Sequence, residues 1–205
     1  MEARSRADDL AFVRDVMARA ERRIDPHAFH FVSWGAVVLV WYPLMNWLEE
    51  SGRRGAMLWV GLAALVLGFA LSGLLEWRRT RRPVPAAEDT FVGRQVVRIV
   101  AACIAAAALL SAVGPATQAI PGERVPIVWG FAYAVMAYAV GVVYRDEFRW
   151  AGAFIFVGTV AALLLPHAQG YVLGPVMGLG MIVPGVMAER RVARLRLQEV
   201  GEPRD

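Results

Sequence analysis

Six long apolar runs, separated by short polar connections, dominate the pattern of this chain. They extend from Phe29 to Leu48, Met57 to Trp77, Val96 to Val113, Pro126 to Tyr144, Phe148 to Leu165 and Tyr171 to Ala188. Each approaches or meets the roughly 20 residues that a helix needs to cross the hydrocarbon core of a bilayer. The connections, "EESGRRGA", "RRTRRPVPAAEDTFVGRQ", "GPATQAIPGER", "RDE" and "PHAQG", hold the Gly, Pro and charge that end helices. The middle of every run is free of Asp, Glu, Lys and Arg. This pattern predicts an all-α polytopic membrane protein, a six-transmembrane-helix bundle.

The residues ahead of the first run follow another period. Leu10, Val13, Met17, Ala20 and Ile24 recur at alternating steps of three and four, and Ser5 with Asp8 has the spacing of a capping box. Asp25-Pro26 then supplies an N-cap and a first-turn proline for the next helix. The expected division is a cytoplasmic amphipathic helix over residues 1–25, a six-helix membrane domain over 26–190 and a basic cytoplasmic extension over 191–205. The N-terminal seam is a candidate surface for a protein partner or for self-association.

Composition agrees with a membrane location. Of 205 residues 58% are hydrophobic, against about 45–50% in soluble domains even with Gly included. All 22 positive charges are arginine, and the net charge is +4. On a soluble chain such a balance would suggest nucleic acid; here the arginines lie between apolar runs, where they orient the protein, and no nucleic-acid partner is expected. The N-terminal segment holds six, the second connection and its flank six, the fourth two and the tail five, whereas the opposite side holds only Arg53, Arg54 and Arg124. By the positive-inside rule both termini are cytoplasmic. The first residues mix acids and arginines without an apolar core, so no cleavable secretory signal is expected.

Chemistry-bearing residues are sparse. His27 and His30 stand three apart at the entry to the first run, with Glu76 on the same side. Zinc needs four ligands, or three and a water, and His167 falls on the far side, so no metal site and no cofactor are predicted. An amphipathic imidazole also suits a membrane interface. Glu49, Glu50 and Arg54 fit Glu-Glu-x-x-x-Arg, which resembles the first motif of the CAAX-type intramembrane proteases, but that family's histidine motifs are missing. "ALSG" resembles the rhomboid serine motif, yet no later run carries a histidine to act as base. Asn46, Ser72, Ser111 and Thr159 are mild enough to bond within their own helices.

Two patterns concern packing. Gly170, Gly174 and Gly178 form a ridge of small residues four apart, expected to lie against the Ala-rich third span, while Pro175 and Pro184 would kink the same helix. Tyr133 and Tyr138 sit deep in the fourth run and, with Pro175, are the candidates for a cavity wall. Trp41, Tyr42, Trp47, Trp59, Trp77, Tyr144 and Trp150 fall near run ends, as an interfacial belt would. Trp34-Gly35 and Trp129-Gly130 are 95 positions apart, an offset that Arg54 and Arg149 share. With three spans per half, such a repeat would be inverted in the membrane, as in many transporters.

The opening helix followed by "FHFVSWG" and five further spans resembles a group of uncharacterised bacterial six-span membrane proteins whose first span begins with Trp-Gly. The resemblance implies a bacterial inner membrane and a topology, without a catalytic residue. The reading that follows is a non-enzymatic inner-membrane protein, acting as an interaction, regulatory or accessory subunit. Its alternatives are a small carrier or channel for a neutral solute and, third, a membrane-embedded enzyme.

Overall fold

A computed structural model describes residues 28–81 and 91–201. The seam of Leu10, Val13, Met17, Ala20 and Ile24, together with His27, lies outside the described residues. Among the described residues six helices follow in order: α1 Ala28–Glu50, α2 Arg54–Thr80, α3 Phe91–Ala116, α4 Val125–Val143, α5 Asp146–Leu164 and α6 Gln169–Gly201. Single 3-10 turns, Gly122–Arg124 and Pro166–Ala168, lead into α4 and α6. Every one of the six is long and apolar enough to cross a membrane. In lipid a backbone must satisfy its own polar groups, and a helix does so within one segment. The chain is an all-α, multi-pass membrane protein.

Local chemistry explains the turns. After α1 the Arg53 N–H bonds the Leu48 carbonyl at 2.9 Å and the Gly52 N–H bonds that of Glu49 at 3.0 Å. Gly52 has φ +70°, so this is a Schellman cap with glycine at its left-handed position. At the α4–α5 turn, a side chain on Gly141 would collide with the Arg149 backbone. The absence of one lets the two helices close together within a few residues.

The helices form an inner group and two outliers. Helix α6 lies along α1 and also contacts α5, which packs on α4; α2 rests on α1, and α3 on α4. Phe148, Ile155, Leu173, Met177, Val140 and Thr159 fill the inner group at under 2% exposure. The only polar one among these six, Thr159, donates its hydroxyl to the Ile155 carbonyl at 2.7 Å. We call the end that carries Ala28, Thr80, Phe91, Asp146 and Gly201 the arginine-rich end.

The glycine ridge of α6 faces α1 rather than α3. A Cβ on Gly178 would stand 2.7 Å from the Leu39 Cβ and 2.9 Å from the Gly35 carbonyl oxygen, and one on Gly35 would meet the Gly178 oxygen at 2.8 Å. A Cβ on Gly170 would stand 2.7 Å from that of Asn46. The expected partner, the third span, packs on α4 instead. Between helices in lipid there is no hydrophobic drive, so close van der Waals approach of backbones has to supply the attraction. Helix α6 runs unbroken through Pro175 and Pro184, and α1 through Pro43. Pro43 has no N–H to offer Leu39. A Gly174 side chain would stand 3.2 Å from that freed carbonyl oxygen, a place that fits a Cα–H···O contact.

Candidate functional site

Polar side chains at membrane depth show what the bundle can do. Ser33 on α1 and Ser72 on α2 are both buried, with their hydroxyls 3.2 Å apart. Ser33 also donates to the His30 carbonyl at 3.1 Å. Ser72 therefore bonds across helices, unlike Ser111, whose hydroxyl donates to Ala107 in its own helix at 2.7 Å. Among the described residues Ser72 meets no imidazole or carboxylate that could serve as its base. The His30 ring lies against Phe29, with centroids 4.1 Å apart, and Glu76 is half-buried near the end of α2. Among the described residues no three His, Cys, Asp or Glu side chains come together.

The two candidate cavity tyrosines part company. Five residues on a helix subtend about 140° beyond a full turn. Tyr138 accordingly points outward at 49% exposure, whereas Tyr133 packs against the inner cluster. Its companion there is Tyr42 of α1, 8% exposed. Proximity to the end of its run suggests an interfacial residue, but α1 turns this side chain inward. Trp41 and Trp129 adjoin the pair, at 5.3 Å from the Tyr42 ring and 6.1 Å from the Tyr133 ring. Among the described residues neither tyrosine hydroxyl has a hydrogen-bond partner. Pro175 is half-buried in α6, one residue beyond the contact with Pro43.

The arginine-poor end is tied shut by Asn46. Its Oδ1 accepts the Gly170 N–H at 3.0 Å, and its Nδ2 donates to Glu50 at 2.8 Å and to the His167 carbonyl at 3.1 Å. Tyr171 donates to the other Glu50 oxygen at 2.9 Å. Asn46 thus caps α6 from another helix and satisfies one of its orphan donors. Glu49 meets Arg54 at 3.9 Å on an exposed surface, while Glu50 is held by Asn46 and Tyr171.

Helices α2 and α3 are the least buried of the six spans among the described residues. Only 11% of each span is buried, against 33% for α1, 39% for α4 and α5 and 50% for α6. Helix α3 turns Val96 and Ala107 inward and leaves Ala101, Ala105, Ala108 and Ala112 exposed on the opposite side. Helix α2 holds α1 through Gly68, set against the Trp34 ring, and through Ser72. Leu58, Trp59 and Val66 of α2 are each at least 67% exposed, and Phe69, although 69% exposed, meets the Trp34 ring edge-on at 5.2 Å. Comparison of the chain with protein-family models, curated proteins and solved structures gives no match.

Proposed function

We propose that this chain is a non-enzymatic accessory or interaction subunit of a bacterial inner membrane, and that α2 and α3 form the surface it offers a partner. The observation that carries the reading is the burial asymmetry: two full spans are only 11% buried beside an inner group up to 50% buried. The closed inner group supports it further, since side chains below 2% exposure occupy the place where a transport path would run. The arginine bias supports cytoplasmic termini. The proposed kinship with six-span bacterial proteins rests on the opening residues and the overall plan of six spans.

The test is a photoreactive side chain placed in native membranes at Leu62 or Ala105, compared with one at Val157 on the outer face of α5. A polypeptide crosslinked from the first two positions, with only lipid from the third, is the expected result. Lipid alone at all three would overturn the proposal.

A second reading, a carrier for a neutral solute, draws on two observations. In an inverted repeat of three helices, the contact of α1 with α6 corresponds to that of α4 with α3, and the contact of α1 with α2 to that of α4 with α5. All four occur. Moreover, Tyr42 and Tyr133 stand together at the inner cluster, where their hydroxyls offer a polar solute hydrogen-bonding groups. Solute flux into proteoliposomes that falls with Tyr133→Phe would favour this reading over the first.

A further inference from the structure

Helices α1 and α4 meet through side chains. Among the described residues no extended backbone contact joins α1 to α4 or to α3, although α4 packs closely on α5 and on α3. At the arginine-rich end the space between them is filled, because Val96, Ile99 and Cys103 of α3 share a cluster with Phe31 of α1 and Met136 of α4. Toward the other end α3 adds nothing to the cluster that buries Tyr42 of α1, against which Trp41, Trp129 and Tyr133 pack. The inward residues of α3 beyond that filled end are small, Ala107 and Ser111. This leaves a lateral cleft between α1 and α3 with α4 as its floor. Trp41, Trp129 and Tyr133 are each half-buried, as residues lining such a cleft would be.

The Trp41 indole N–H is buried, and among the described residues nothing accepts it. Other polar groups at membrane depth are provided for within the protein: Ser72 bonds Ser33, Ser111 the Ala107 carbonyl and Thr159 the Ile155 carbonyl. Nine residues of helix set Trp41 about 13 Å inward of Glu50, the last residue of its span. The polar layer of one leaflet is only about 5–7 Å thick, so this indole lies among acyl chains, which offer no acceptor. An indole nitrogen can only donate, and a buried donor is costly to leave bare.

We infer that Trp41 holds the carbonyl oxygen of a neutral, lipid-soluble molecule in this cleft. The bare N–H calls for an acceptor, and the rings of Trp129 and Tyr133 suit an apolar body behind it. Neutrality follows from the absence of Asp, Glu, Lys and Arg from the middle of every span, and an opening toward lipid selects a molecule that partitions into the bilayer. The site shares Tyr133 with the carrier reading but requires no transport. Binding without flux would remove that reading and leave this one standing.

NMR of the full chain in lipid nanodiscs tests it, through the indole N–H resonances of isotope-labelled tryptophan. Diheptyl ketone is the probe and pentadecane its acceptor-free match, and Trp41→Phe identifies the Trp41 resonance by its loss. The expected result is a downfield shift of that resonance that saturates with ketone and is absent with pentadecane, while the resonance of the exposed Trp59 stays in place. The Trp41→Phe protein should bind the ketone about tenfold less tightly than the parent, as loss of one hydrogen bond implies, and Trp59→Phe should bind it equally well. A Trp41 resonance that the ketone does not move, or that pentadecane moves as far, would overturn the inference. So would a cross-peak to water that persists in saturating ketone, because a resident water would then be the acceptor.

Discussion

The α1–α6 seam and the outer side of α3 are both built from small residues, yet they behave oppositely. In the seam Gly35, Gly174 and Gly178 let two backbones meet, and any added Cβ would strike main chain, a proline ring or a neighbouring side chain. On α3, Ala101, Ala105, Ala108 and Ala112 stand exposed. Small side chains permit a close approach, but they do not determine which helix makes it. Their neighbours decide: the α6 ridge meets an α1 that carries Gly35 and Pro43 at matching heights, and Asn46 binds the far end.

Substitution can break this contrast, most strongly in the seam. Gly178→Leu should cost about 3 kcal/mol or more, because the Gly35 carbonyl and Leu39 cannot retreat without separating the helices. Loss of the folded fraction in a detergent melt would show it, whereas Ala105→Leu on α3 should leave the melt within about 0.5 kcal/mol of the parent. A milder case is Gly130→Ala, whose new methyl would stand 2.6 Å from the Thr159 hydroxyl oxygen. It should cost about 2 kcal/mol, and Thr159→Ala in the same chain should recover part of that. A double-mutant cycle measures the coupling.

Below these lies Asn46→Ala, which removes the cross-helix cap on Gly170 and should cost about 1 kcal/mol by the same melt. The smallest effect has the opposite sign. A Cβ added to Gly61 or Gly73 of α2 would meet nothing within 4 Å, so Ala at either should stabilise by about 0.5 kcal/mol. A destabilised Gly61→Ala would show that the side of α2 around Gly61 is already covered by something.

Much of the fold is legible in the hydropathy pattern. The apolar run from Pro126 to Tyr144 differs by one residue at each end from α4, Val125–Val143, and the next run ends one residue beyond α5. Helix α6 continues to Gly201, past the last apolar residue of its run, because the arginine-rich "ERRVARLRLQE" is a good helix former in water as well. Rotation about each axis is not legible. In a soluble helix the polar side identifies the outside, but here both sides of a span are apolar. Run position alone therefore assigns Tyr42 to the interface and Tyr138 to an interior wall, when their burials are the reverse. Helix partnership is equally hidden: the glycines announce close contact, but nothing in their spacing chooses α1 over α3. Arg145 reads in the sequence only as a topogenic charge, and its burial depends on the turn that Gly141 permits.

The seam also sets a timetable for assembly. Gly35 and Gly178 are 143 positions apart, so at about 5–20 residues per second of synthesis α1 enters the bilayer roughly 7–30 s before its main partner exists. Throughout that interval its Gly35, the Leu39 carbonyl freed by Pro43 and the side chain of Asn46 must be sheltered by lipid, by the translocation machinery or by α2 through the Ser33 and Ser72 hydroxyls. A ribosome halted after α5 would hold a chain with five inserted spans whose first helix still lacks its principal contact, and the last helix synthesised is the one that completes the first.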